Sequence, residues 1–498
     1  MTQPSYRNGA HRLRRPAADP TRPVRGSLVD DVGDKLITLV VASSIILIQI
    51  PVLVGHQSIT TPAVLVIFML CIAWGLPRHN RLADRSLLWL VAAFSVLVGV
   101  ALVRGGRAQA YASLSHALAE ALTYGAVIAL AVLALSTSRT DRERRQRMIA
   151  VALAPAVYAL ANMIAHLLNL HAATVEIEGI ATLQPASLLQ TFHIYVSRVQ
   201  FPLSTGVNNT GIIAAAGLTA CLVLWRLLPR ALAGVCVIGC LYCLLLGDSR
   251  IPLLMALLTA LYFNWSKRTS GVRWFVLLLP VLPLIMIGAS DLLNGLLGEH
   301  LTRSSGGGDF STLGDRTYIW QAVWPYLDHV GFQQLLGWGT NGNVTSGASL
   351  HYAYLFSSLP NPTLYSTHNL ATQTIFETGY VGLTLLVILA WATATRLTQA
   401  VAGSTSRLPR ALMASLTVLL LSGTTEAAPT SGSHDILAAV FLICGVAAAL
   451  EPAVSRHAQR GRTPAAALPA DHSTPRDLGS RPPRRPAWAP PTSGSTRG

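Results

Sequence analysis

Twelve apolar stretches, separated by loops in which arginine is unevenly distributed, leave this chain few folds other than a bundle of membrane-spanning helices. They run over residues 36–54, 59–76, 86–103, 117–135, 148–170, 209–225, 231–247, 251–265, 273–290, 379–395, 411–423 and 436–450. Several are shorter than the ~20 residues that cross ~30 Å of hydrocarbon, so their helices are expected to extend into the flanking loops. With the N-terminus in the cytoplasm, only six of the 37 Lys and Arg residues face outward: Arg104, Arg107, Arg198, Arg250, Arg303 and Arg316. That is the positive-inside asymmetry, and an even number of spans returns the C-terminus to the cytoplasm. Basic residues are selected against on the outer side, so each of the six calls for its own reason.

Composition closes off most alternatives. Charged residues make up 12% of the chain and hydrophobic residues 51%, against roughly 25% charged in soluble domains. The formal charge of +15 would suit nucleic acid, but its cations sit in loops and arms beside the spans, where anionic membrane lipid is the simpler partner. Residues 1–35 carry Arg7, Arg12, Arg14, Arg15, Arg22, Arg25 and Lys35 among prolines, without apolar periodicity, which predicts a disordered cytoplasmic arm. The run that follows is long enough to span and lacks a small-x-small cleavage site at Val54-Gly55-His56-Gln57, so it reads as a retained first helix. Residues 451–498, rich in Pro and Arg, predict a second disordered arm, which leaves 36–450 as the transmembrane domain. The expected fold class is therefore all-α and polytopic, with about 12 transmembrane helices. All six cysteines fall within spans, which speaks against a disulfide framework, and Cys236, Cys240 and Cys243 share one helix face with no His or carboxylate beside them. Helix packing explains that stripe better than a soft metal.

Two outer loops, 171–208 and 291–378, the second lying between spans 9 and 10, are far longer than a helix connection requires. The second holds Tyr318, Trp320, Trp324, Tyr326, Trp338, Tyr352, Tyr354 and Tyr365. Such aromatics suit either an interfacial belt or the stacking of sugar rings.

Four short patterns follow one another on this side. Arg198 precedes Phe201-Pro202 and Asn208-Asn209; Asp248-Ser249-Arg250 closes a span; Gly314-Asp315-Arg316 leads to Trp320 and Gly337-Trp338-Gly339; and His368-Asn369 precedes Glu377-Thr378-Gly379-Tyr380-Val381-Gly382. In this order, from Arg198 to Gly382, the chain resembles the O-antigen ligase and polymerase family, whose His-Asn…Glu-x-Gly-x-x-Gly signature the last segment looks like. The resemblance implies transfer of a glycan from an undecaprenyl diphosphate carrier to a glycan or lipid acceptor hydroxyl, on the outer face of the cytoplasmic membrane.

The residues suit that chemistry. Guanidinium forks bind phosphate oxygens bidentately and keep their charge, so Arg250, Arg316 and Arg198 are candidates to hold the diphosphate and stabilise the charge growing on it. A histidine is suited to take the acceptor hydroxyl's proton, and His368 is the candidate base. Asn369, Glu377 and Asp315 are read as supporting residues. Glu377 lies nine positions after His368, half a turn away on a continuous helix, so it is expected to fix loop backbone or an arginine rather than pair with His368. Plainer readings exist: a loop histidine at a helix start, a local Asp248–Arg250 pair, an exposed Asp315–Arg316 pair. Arg104 and Arg107, in a Gly-rich turn, read as solvated. No cofactor and no metal are expected, and the sequence holds no phosphate-binding P-loop, no His-Glu-x-x-His and no nucleophile elbow.

Three functions remain open: a ligase, a polymerase of lipid-linked repeats, and a transporter without bond chemistry. The His-Asn motif in the last large outer loop favours the ligase. Ionisable residues within the spans amount to little beyond Glu120 and His166, fewer than an ion-coupled carrier uses.

Overall fold

The computed structural model describes residues 28–55, 57–78, 84–108, 114–138, 140–171, 186–190, 192–204, 206–266, 269–288, 311–357, 363, 366–402 and 407–450. The chain divides into Met1–Ala453 and Val454–Gly498. The second unit, most of the expected basic arm and Arg303 lie outside the described residues. All described elements are helical: α1 Leu28–Ala42, α2 Ser44–Val54, α3 Gln57–Gly75, α4 Arg85–Ala108, α5 Leu114–Ser136, α6 Asp141–Leu167, α7 Val207–Leu224, α8 Arg230–Leu246, α9 Arg250–Trp265, α10 Val272–Leu278, α11 Leu282–Gly288, α12 Ser311–Val323, α13 Leu370–Ala402, α14 Leu408–Ser422 and α15 His434–Ala449. Each of the twelve apolar stretches falls on one of these helices or on a broken pair. Four helices, α4, α5, α6 and α13, are long and apolar enough to cross a membrane on their own, and α1 with α2 makes a fifth if a bend of 62° is allowed.

Sequence explains the departures from the expected boundaries. The first stretch bends at Ser43-Ser44, whose hydroxyls bond back to the Leu39 and Val41 carbonyls at 2.8 Å and 2.8 Å and compete with the helix ladder. Helix α1 starts at Leu28, so the end of the expected disordered arm is instead helical. It is tied down there, because Asp34 pairs at 3.0 Å with Arg147, which is almost wholly buried. Arg147 also donates to the Ala134 carbonyl at 2.7 Å and to Thr137 Oγ1 at 2.6 Å, so this arginine of a basic loop cluster serves as an internal staple. The ninth stretch breaks into α10 and α11 around Pro280 and Pro283. Helix α6 begins with a capping box, Thr140 and Glu143 each accepting the other's backbone N–H.

At the centre stands α7, buried along nearly its whole length. Its Ala-Ala-Ala-Gly217 run permits this, since a Cβ on Gly217 would lie 2.6 Å from the Ala156 nitrogen of α6. The six cysteines are buried free thiols packed in this core. A second apolar cluster, with Trp320, Tyr352, Ile375 and Phe376, fixes the 311–357 segment to one end of the bundle.

The tenth stretch shows how that segment is held. Helix α13 starts at Leu370, nine residues before the expected boundary, and its backbone breaks at Gly379 with φ 73°. The break strips the Phe376 and Glu377 carbonyls of helical partners. The Gly337-Trp338-Gly339 turn supplies replacements: the Trp338 N–H reaches the Phe376 oxygen at 2.7 Å and the Gly339 N–H reaches Glu377 at 3.1 Å. A Cβ at Gly379 would also strike the Leu335 carbonyl. Gly379→Ala is therefore expected to cost more than the ~1–2 kcal/mol of a left-handed non-glycine residue alone. Melting temperature and monodisperse yield in detergent should both fall, and a wild-type melt would show that the turn yields freely.

Candidate active site

Two of the sequence candidates, Arg316 and His368, meet at a residue that none of the motifs contains. Glu426, in the turn between α14 and α15, accepts from Arg316 Nη2 at 2.6 Å through one carboxylate oxygen and faces His368 Nδ1 at 3.2 Å through the other. Asn208 also hydrogen-bonds it, and Asn208 Oδ1 accepts from Arg198 Nη2 at 3.1 Å. Burial works to raise the Glu426 pKa, but the Arg316 charge, and then His368, hold the carboxyl below the usual glutamate range. It is thus an anion. In the tautomer with Nδ1–H toward this carboxylate, Nε2 is the acceptor nitrogen.

Local sequence aims each group. Arg316 and Trp320 are one turn apart on α12, so they share a face. The Trp320 indole donates to the Thr367 carbonyl at 3.1 Å, while the Thr367 N–H donates to Gln373 Oε1 at 3.1 Å. With its preceding residue pinned on both sides, His368 adopts φ 49°, before the start of α13, and its ring lies tilted against Phe356 at 6.0 Å between centroids. Asn369 is buried and its Oδ1 accepts the Thr372 N–H at 3.1 Å, which caps α13. His368 keeps about 20% of its side chain exposed.

Glu377 joins the elements behind this pair. Buried on α13, it accepts from Gln373 Nε2 at 3.0 Å and from both the N–H and the hydroxyl of Ser431, at 2.8 Å and 2.6 Å. Through Gln373 it supports the backbone before His368, and through Ser431 it anchors the turn that carries Glu426. The offset argument for Glu377 presumed a helix continuous with His368, whereas His368 precedes that helix.

Arg198 and Arg250 each bond to the corner between α8 and α9. The Gly247 carbonyl accepts from Arg198 Nε and Nη2 at 3.3 Å and 3.2 Å, and the Val199 N–H reaches the Leu246 oxygen at 2.9 Å, so the Arg198 segment packs on the end of α8. Arg250 contacts Asp248 through Nε and Nη2, each at 3.3 Å, so the local pair exists. Its side chain stays 43% exposed, in contrast to Arg316 at 14%. Arg316 reaches Glu426 across the fold; the Asp315 and Arg107 side chains lie outside the described residues. Arg104 is only partly solvated. It donates to the Leu336 carbonyl at 3.1 Å and braces the glycine-rich turn.

Glu426 carries no local signal in Thr424-Thr425-Glu426-Ala427. Its place is the one hint: with Asp435 it is one of two acids in the short connection between the last two apolar stretches, on the side where the outward arginines gather.

Residues 235–387 match the family model described as O-antigen ligase. Arg250, Arg316, His368, Asn369 and Glu377 fall inside the matched segment, while Arg198, Asn208 and Glu426 fall outside it. Over this segment the chain is similar to the O-antigen ligase family, and its apolar helices are those of an integral membrane protein. No curated protein matches the chain.

Proposed function

We propose that the protein transfers a glycan from an undecaprenyl diphosphate carrier to an acceptor hydroxyl on the outer face of the cytoplasmic membrane, as a ligase. In this reading all twelve stretches span, both termini are cytoplasmic, and the segments 171–208 and 291–378 face outward. The observation that carries it is the meeting of Arg316, His368 and Glu426 from three separate segments at one end of the bundle.

The chemistry divides among these groups. His368 Nε2 takes the proton from the acceptor hydroxyl as its oxygen attacks the anomeric carbon, while Glu426 holds the Nδ1 proton and stabilises the imidazolium that results. Arg316, Arg250 and Arg198 bind the diphosphate and offset the charge released as the glycosidic C–O bond breaks. The donor supplies the driving force, and these residues need no metal or cofactor for the steps assigned to them. Glu120 and His166 have local structural partners, Glu120 an ion pair with His434 and His166 a 2.8 Å contact to the Tyr242 hydroxyl, which gives a carrier mechanism little to work with.

Purified protein given a lipid-diphosphate glycan should release the free carrier and elongate or modify an added acceptor, followed by mass spectrometry. Arg316→Lys should lose roughly tenfold or more in turnover, because an ammonium cannot reproduce a bidentate fork. Full activity in both Arg316→Lys and Arg250→Ala would remove the clamp. A ladder of repeats in the product would assign a polymerase in place of a ligase.

A further inference from the structure

The segment that leads to Arg198 carries an apolar tip for which the transfer chemistry has no use. Residues 179–197 hold no Lys, Arg, Asp or Glu, although they belong to an outer loop. Phe192, Ile194 and Tyr195 are 68%, 50% and 72% exposed, and Val196 is more than a third exposed. Four exposed apolar side chains within five residues form a patch, unlike the single apolar residues that ordinary surfaces tolerate.

The backbone of this tip is closed on itself. After the helical turn Ser187–Gln190, the chain reverses at His193, which has φ 60°. The Phe192 and Ile194 N–H groups donate to the Leu189 oxygen at 2.9 Å and 3.1 Å, and the His193 N–H donates to the Gln190 oxygen at 2.9 Å. Loops stay in water because their backbone polar groups need partners, and here three consecutive amides have theirs within the loop. The neck is equally defined. The Ala186 N–H crosses it to the Val196 oxygen at 2.8 Å, the Leu188 N–H donates to Asp248 Oδ1 at 2.9 Å, and Val199 and Arg198 bond to the Leu246 and Gly247 carbonyls. Leu246 and Gly247 close the seventh apolar stretch, so the neck stands where that span leaves the hydrocarbon in the proposed topology.

We infer that the tip Phe192–Val196 is inserted in the outer leaflet of the membrane and anchors there the corner that carries Arg198 and Arg250. The patch gains by leaving water, and at the height of its neck the neighbouring apolar medium is the bilayer itself. Phe192 and Ile194 suit the acyl boundary, while Tyr195 has the apolar body and polar end of an interfacial residue. The absence of charge from 179 to 197 spares the tip the desolvation cost that opposes insertion. Arg198, the first cation after it, is held at the neck, level with the headgroups. The inference rests on the outward assignment of 171–208 and on no step of the transfer reaction.

Spin labels read the depth directly. Full-length protein with Phe192→Cys, and in a separate variant Tyr195→Cys, would be labelled with a nitroxide in right-side-out sealed vesicles; the six native cysteines are buried. His329→Cys serves as the aqueous reference, since His329 is 63% exposed in the 311–357 segment. Collisions with oxygen, which concentrates in lipid, should exceed those with a water-soluble nickel chelate at 192 and 195, and the order should reverse at 329. The depth at both tip positions should be that of an interfacial insertion, ~5–10 Å below the headgroup boundary. Two labelled positions guard against a local distortion at one of them. Nickel-dominated collisions at both would put the tip in water and overturn the insertion. Protection from both reagents would place it against another protein or a second copy, and would overturn it equally. A label at 329 that externally added chelate cannot reach would instead overturn the outward assignment, and with it the choice of leaflet.

Discussion

His368→Ala is expected to lower glycan transfer by roughly 10²–10⁴, the range for a positioned general base, while the protein stays folded and still binds its diphosphate donor. The folding part follows from position. His368 lies in the loop before α13, with about 20% of its side chain exposed, and its ring lies tilted against Phe356. The helix start does not depend on the imidazole, since Asn369 supplies the cap and Trp320 and Gln373 hold Thr367. His368→Asn is the better control for the backbone, because Asn tolerates the left-handed conformation that φ 49° requires. Both variants should lose turnover together, and neither should lose donor affinity, which the arginines provide. Near-normal turnover, or loss of folded protein in both variants, would return His368 to a loop histidine at a helix start.

What could be read in the chain followed the range of the signals. Apolar runs of span length and the arginine asymmetry are local properties, and helices occur at every stretch they marked. The His368-Asn369 and Gly-Asp315-Arg316 patterns are likewise short and carry their own context. Partner choice is a different kind of information. Glu426 lies 58 residues after His368 and 110 after Arg316, and it meets them because α14 returns the chain to the loop end beside the start of α13, where the Leu370 N–H bonds to the Gly423 oxygen at 2.8 Å. No spacing rule reaches that far. Arg104 fails to read for the same reason. A short Gly-rich turn looks solvated until a segment 232 residues on brings the Leu336 carbonyl to it.

The conformational exceptions were also hidden. Glu377 and Thr378 read as the end of an outer loop, yet they are helical, and the break at Gly379 leaves two carbonyls to which the Gly-Trp-Gly turn donates. That coupling gives the two motifs one physical role: they dock the 311–357 segment, and with it Arg316 and Trp320, against the residues that follow His368.

Glu426→Gln should reduce turnover by roughly 10² or more with little loss of folded protein, and it should do so through His368. The amide keeps the shape of the side chain but not its charge, so nothing fixes the proton on Nδ1 or stabilises the imidazolium; exchanging the orienting carboxylate of a His–carboxylate pair for an amide is costly in this way. Because the two residues act as a unit, His368→Ala combined with Glu426→Gln should be little worse than His368→Ala alone, and an additive loss would separate their roles. The pH response gives an independent readout. Burial favours the neutral acid, but Arg316 and His368 depress the folded-state pKa below the unfolded value. The stabilisation is therefore present above the ordinary glutamate pKa of ~4.3 and is lost as pH falls through the lower folded value. Wild-type melting temperature should thus drop in that acid window, and Glu426→Gln should flatten this part of the profile. An unchanged acid profile together with full turnover would detach Glu426 from the reaction and leave it as a structural anchor for Arg316.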